Sequence, residues 1–141
     1  MLADAAKEFG GKLYVHGGGW NFLNVADRNT PRAFALVGRV VAPWSQVHRD
    51  FTLTVSLEHT EPEATHERAP IVRIVLRQQA VPDQPQSVET ATPFSFEIPG
   101  INFYQPGEYA FVIEHEGEEL ARTRFQVNFT EEGKAEADDQ G

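Results

Sequence analysis

At 141 residues the chain is one domain's length, and its formal net charge of −9 argues against a nucleic-acid binder, because affinity for phosphates needs a basic surface. The absence of cysteine excludes a disulfide framework, a thiolate nucleophile and any cysteine-ligated metal. No apolar run approaches the roughly eighteen residues of a membrane-spanning helix, and Met1-Leu2-Ala3-Asp4 lacks the basic and apolar regions of a secretory signal, so the expected compartment is the cytoplasm.

In chain order, Leu2 to Phe9 is rich in alanine, which favours a helix, yet Gly10-Gly11 followed by a strand pattern suits a strand–turn–strand opening better. Lys12 to His16 reads as a short strand ending at Gly17-Gly18-Gly19, with Trp20 and Phe22 spaced as core residues on one strand face. After the Thr30-Pro31 break, Phe34, Leu36 and Val40 alternate with Ala35, Val37, Arg39 and Val41. Phe51, Leu53, Val55 and Leu57 alternate cleanly with Thr52, Thr54, Ser56 and Glu58. Ile71 to Arg77 is apolar on both faces, which predicts a central strand or one covered by a loop. Phe94, Phe96 and Ile98 form a short strand between Pro93 and Pro99.

The most regular pattern comes last. After Pro106-Gly107, Tyr109, Phe111 and Ile113 share a face opposite Glu108, Ala110, Val112 and Glu114. The chain turns at Glu116-Gly117-Glu118 and returns as Thr123, Phe125, Val127 and Phe129 against Arg122, Arg124, Gln126 and Asn128. Turn signals fall about every ten residues and no helical period is sustained, so the expected class is all-β, an antiparallel β-sandwich of about seven or eight strands. Residues 1–129 are expected to form this single domain. Residues 130–141 are too charged and too poor in apolar groups to pack, and read as an acidic disordered tail.

A tyrosine entering the penultimate strand, as Tyr109 does, resembles the tyrosine corner of immunoglobulin-like sandwiches. On that alignment Phe111 falls where antibody-type domains carry their second cysteine, and the Tyr109 hydroxyl is expected to bond an upstream backbone group. Leu2-Ala3-Asp4-Ala5-Ala6, Gly11-Lys12-Leu13, the Gly17-Gly18-Gly19-Trp20 block and Pro106-Gly107-Glu108-Tyr109-Ala110-Phe111 together resemble a family of small uncharacterised bacterial and phage proteins. The resemblance implies an immunoglobulin-like sandwich and assigns no activity, cofactor or site residue.

Three motifs invite chemistry. His16-Gly17-Gly18-Gly19 is similar to the oxyanion-hole loop of lipases, but no serine sits in a Gly-x-Ser-x-Gly elbow and no strand–helix alternation surrounds it, so a glycine bulge is the expected reading. Glu58 to Glu67 gathers His59, His66 and several glutamates, but at no metal-motif spacing and with Pro62 between the histidines; a solvated connection is expected, and no metal or other cofactor. Glu114-His115-Glu116 is expected as an exposed hairpin tip. Aromatics in connections are the better binding lead: Trp44 in a turn-like segment, Tyr104 before the Pro106 corner, and Trp20 after the glycines. The expected function is a non-enzymatic interaction or structural module whose partner is another protein or a second copy, with no nucleic acid and no membrane. The alternative is a small-ligand or carbohydrate-binding domain that uses Trp44, Tyr104 or Trp20.

Overall fold

Alternation of large apolar with polar residues lets a strand bury one face, and here it builds two sheets that bury theirs against each other. The structure, a computed structural model, describes residues 1–27, 29–46, 49–60, 68–77 and 89–130, with the side chains of 46, 68–70 and 99 outside the description. The described strands are β1 Leu2–Phe9, β2 Lys12–Trp20, β3 Phe22–Val25, β4 Arg32–Ala42, β5 Asp50–His59, β6 Arg68–Arg77, β7 Thr90–Ile101, β8 Gly107–His115 and β9 Glu118–Phe129. One sheet has the order β2-β1-β4-β7 and the other β3-β9-β8-β5-β6. All neighbours are antiparallel except β3, which runs parallel to β9. With β4 and β7 in one sheet and β5, β6, β8 and β9 in the other, this is an immunoglobulin-like sandwich, β8 and β9 taking the places of its last two strands.

The core is aromatic where antibody domains use a disulfide. Phe34 on β4 meets Phe111 on β8 edge to face at 5.8 Å, joining the two strands that the antibody bridge joins. Phe125 stacks on Phe111 at 5.3 Å and also contacts Phe34 at 6.3 Å and Phe103 at 5.9 Å. Each such pair contributes about 0.5–1.5 kcal/mol beyond its area burial. The Tyr109 hydroxyl donates to the Gln105 carbonyl at 2.7 Å, closing the expected corner. His59 stacks on the far face of that ring at 4.4 Å, and Thr60 donates to the Glu108 carbonyl through both its N–H and its hydroxyl. The β8–β9 turn is Glu116-Gly117, with φ of 52° and 80°, the paired positive values of a type I′ hairpin turn.

Several sequence expectations need correction. β7 runs through the positions of both prolines instead of stopping between them. It is a sheet edge, and Pro93, opposite Arg39, places its missing N–H on the unpaired side. β2 continues through Gly17-Gly18-Gly19 to Trp20. Phe22 is 51% exposed, while Leu23 and Val25 are buried, because the chain leaves one sheet at Asn21 and enters the other, which resets the alternation. β6 is not central but the edge of its sheet, and Val75 on its outer side is 62% exposed. The tail, residues 131–141, and the connections at 61–67 and 78–88 lie outside the described residues.

Tyr109→Phe removes one neutral hydrogen bond and keeps the ring. It should lower unfolding free energy by about 1 kcal/mol in urea titration with an unchanged slope. Phe111→Ala should cost about 3–5 kcal/mol by the same measurement.

Candidate functional site

The three aromatics singled out in the sequence are dispersed. Trp20, half-buried at the end of β2, packs edge to face on Phe34 at 5.3 Å, and its indole N–H is buried with no hydrogen-bond partner among the described residues. Trp44 is half-buried in the 3-10 turn Trp44–Gln46, just past the end of β4. Tyr104 is 55% exposed, its hydroxyl accepting from Asn102 Nδ2 at 3.1 Å. It follows Ile101, which pairs with Arg32 at the start of β4, whereas Trp44 follows Ala42 at the other end. At about 3.3 Å per residue the two ends of β4 that they flank are roughly 30 Å apart, so the rings belong to opposite ends of the sandwich. The structure does not bring the three rings to one site.

What the glycine block does is bend a hairpin. Leu2 pairs with Trp20 and Ala3 with Gly18, leaving Gly19 as the extra residue of a bulge. Gly19 and Gly17 have φ of 86° and 60°. At Gly17 an added Cβ would also overlap the Asp4 carboxylate. β1 pairs with β4 only at Leu2 and Ala3, after which it leaves the sheet and packs along β7 as well. The β1–β2 hairpin thus folds over the outer side of its own sheet. Ala35 and Val37, which alternation points outward, are buried there with Ala3, and Ala6 and Leu13 pack on them as a second, small core. Alanines in β1 are what let the backbones approach this closely.

The hairpin register sorts the remaining side chains. Ala6 pairs with Val15 and Glu8 with Leu13 on the side that packs down. Ala5 pairs with His16, Lys7 with Tyr14 and Phe9 with Lys12 on the side that faces out. On that outer side Phe9 is 70% and Tyr14 57% exposed, as diagonal neighbours within reach of one another. Lys7, Lys12 and His16 are exposed beside them, and within the hairpin no carboxylate shares their register face. At the hairpin's flank lies an open groove of about 640 Å³ bordered by Lys7, Glu8, Tyr14, His16, Ser95 and Glu97. Phe9 and Tyr14 were not among the sequence candidates. The signal was available, since period-two alternation across Gly10-Gly11 already places Lys7, Phe9, Lys12 and Tyr14 on one face.

The outer side of the other sheet is held by ions. Glu58, 8% exposed, accepts from Arg122 Nη1 at 3.0 Å, and Glu119 accepts from Arg122 Nη2 at 2.8 Å. Hydrogen bonds to Glu119 and then Glu58 hold the guanidinium more firmly protonated than an ordinary arginine. Glu58 therefore works as an ion-pair anchor, and His59 is packed on Tyr109; His66 lies outside the described residues. His115 is partly exposed, with Nδ1 3.2 Å from the Thr52 carbonyl oxygen and Nε2 3.9 Å from Glu116. Among the described residues no group of three or more His, Asp or Glu side chains is placed to hold a metal ion. No described helix is long and apolar enough to cross a membrane.

A model of a family of unknown function, DUF6941, matches residues 1–128, hairpin included. The chain belongs to this family. No curated protein matches the sequence. Among solved structures, a β-glucosidase from Listeria innocua in complex with glucose superposes with a TM-score of 0.53 at 11% identity, over 77% of this chain and 15% of that one. The chain therefore spans about 15% of the enzyme's length, and the likeness is one of fold. An immunoglobulin-like protein from Pseudomonas aeruginosa is similar over 91% of this chain and 92% of that one, at 14% identity and a TM-score of 0.40. For this family member the outward hairpin face is the candidate site.

Gly17→Ala should test how tightly the glycine block sets that face. A side chain there is strained by its positive φ and displaces Asp4, so stability should fall by about 1–3 kcal/mol in thermal or urea unfolding. Gly10→Ala, with φ of 59° but nothing within 4 Å of the added Cβ, should cost less.

Proposed function

We propose that the protein is a non-catalytic interaction module whose contact surface is the outward face of the β1–β2 hairpin. One observation carries this reading: Phe9 and Tyr14 are both more than half exposed on a hairpin face whose own charged or titratable residues beside them are Lys7, Lys12 and His16. Exposed rings cost solvation free energy that a partner recovers on burial, and aromatic anchors with a basic rim are typical of protein contact surfaces. On a chain of net charge −9, a hairpin face that carries no carboxylate of its own is a local inversion of sign, with Glu97 of β7 across the flanking groove. Its complement is an acidic protein surface that offers an apolar notch for the two rings. The hairpin is anchored by its own small core, so the rings are presented on a rigid element and binding orders little backbone.

The loop-aromatic carbohydrate reading has less behind it. Tyr104 offers an exposed ring, but Trp20 and Trp44 are half-buried, and Trp44 lies past the other end of β4.

Paired capture from the native host with the wild-type chain and Phe9→Ser/Tyr14→Ser checks the proposal. An acidic protein should be retained by the wild type, lost from the variant at unchanged melting temperature, and released as salt rises from about 0.1 M towards 1 M, where the Debye length shrinks to about 3 Å. Lys7→Glu/Lys12→Glu should weaken it at least about tenfold, some 1.4 kcal/mol, in titration with the captured protein. A wild-type chain that is monomeric by light scattering and retains nothing the double variant loses would end this reading.

A further inference from the structure

A second contact site lies on the β1-facing edge of β4, at the end of that strand away from the hairpin tip, and does not depend on the hairpin face. Val37 and Met1 exchange backbone hydrogen bonds, Val37 N–H to the Met1 carbonyl and the Met1 amine to the Val37 carbonyl, each at 2.8 Å. β1 begins at Leu2, opposite Leu36, and among the described residues this exchange is the last pairing on that edge of β4. β4 itself runs on to Ala42, in unbroken register with β7 from Phe34 onward. Strand alternation then fixes which groups are left over. The N–H and C=O of Arg39 and Val41 point to the same edge as those of Val37, and no described strand meets them there.

Directly beneath this edge the two sheets part. A groove of about 330 Å³ runs between them, with Val40, Leu53, Phe94, Ile113 and Leu120 among its walls. Leu120, 54% exposed, is the extra residue of the bulge where Ile113 pairs with Ala121 and Glu114 with Glu119. Across the groove that bulge, with Arg122 and Arg124 beyond it, spoils the free stretch of β9 as a template. On β7 Pro93 does the same. The β4 edge from Gly38 to Val41 carries neither a bulge nor a proline, and one charge, Arg39. Gly38 adds to the opening: the Phe94 ring lies across it, 2.6 Å from where a Cβ would stand, so the inner surface at this point is ring rather than branched side chain.

We propose that the Gly38–Val41 edge accepts an extended segment of another polypeptide, added antiparallel to β4 on the line that β1 would follow beyond Met1. The register specifies its chemistry. Residues opposite Gly38 and Val40 point into the groove and are large and apolar. The residue opposite Arg39 points outward beside an exposed guanidinium that has no ion-pair partner among the described residues, and is acidic. Backbone bonds at Arg39 and Val41 supply affinity, and the groove and Arg39 supply selectivity.

The test uses the full chain, labelled with nitrogen-15, and a short capped peptide alternating Glu and Ile. At about ten times its Kd the peptide should slow hydrogen exchange at the Arg39 and Val41 amides about tenfold and leave the β6 and β9 edges unchanged. Val41→Pro removes an N–H that β7 does not use, and should abolish the protection at Arg39 with the fold intact. Arg39→Glu, an exposed substitution that leaves the backbone alone, should transfer the preference to a Lys and Ile peptide. Phe9→Ser/Tyr14→Ser should bind the peptide as the wild type does, which separates this site from the hairpin face. Unchanged exchange at Arg39 and Val41, protection confined to another edge, or protection that rises with protein concentration alone would overturn the proposal, the last in favour of self-association.

Discussion

The contact between Phe34 and Phe111 is the constraint on which the rest of the sandwich rests. Two twisted sheets without a covalent bridge can slide or rotate, because apolar burial alone is non-directional. An edge-to-face pair is directional, and the third ring, Phe125, fixes it by stacking on one partner and touching the other. With that triad in place, Tyr109 two residues before Phe111 is held where its hydroxyl reaches Gln105, and His59 is clamped against its other face. The corner, the β5 end and the closing hairpin are thus referenced to one aromatic cluster. A chain without cysteine obtains a defined sheet-to-sheet geometry from shape and quadrupole instead of a bond.

That geometry was largely legible in the residues that make it, because period two survives wherever one face of a strand is buried and the other solvated. Tyr109 to Ile113 and Thr123 to Phe129 are read from spacing alone, and the Tyr109 hydroxyl bond follows from a known corner. Legibility fails where a strand does not obey that division. Glycine and proline are strand breakers on average, but a bulge can use Gly19 and an edge can accept Pro93, so β2 and β7 are longer than their composition suggests. Ala35 and Val37 look like an ordinary outer face; only tertiary contact with the hairpin reveals a second buried layer. Trp44 and Tyr104 are binding candidates by residue type, but separation across the sandwich is set by strand pairing, which local sequence does not encode. Glu58, met in sequence as one acid of a polar loop, lies in a strand and is buried against Arg122.

Net charge is a poor guide to any one surface of this molecule. The acidity that speaks against nucleic acid belongs to the whole chain, whereas the hairpin's two sides divide its charges by register: Glu8 goes to the packed side and Lys7 and Lys12 to the open one. Electrostatic steering acts through such local fields within about a Debye length, so an acidic protein can still attract acidic partners to one face. Packing the hairpin on alanines has a related effect. The inner side is fixed by close backbone approach, and the outer side is left free to vary in chemistry without disturbing the fold.

The parallel pairing of β3 with β9 couples the first quarter of the chain to its end. Leu23 lies beside Val127 and Val25 beside Phe129, so these contacts wait until more than a hundred further residues have been synthesised. The β8–β9 hairpin, closed by a two-residue turn, can form within microseconds of being available, but the strand that flanks it has been exposed since early in translation. High sequence separation of this kind slows folding and lengthens the time for which apolar strands stand unpaired. The β1–β2 hairpin offers a local remedy. Made of adjacent residues, it can close as soon as Trp20 emerges, and it then holds β1 and β2 paired until the last strand arrives.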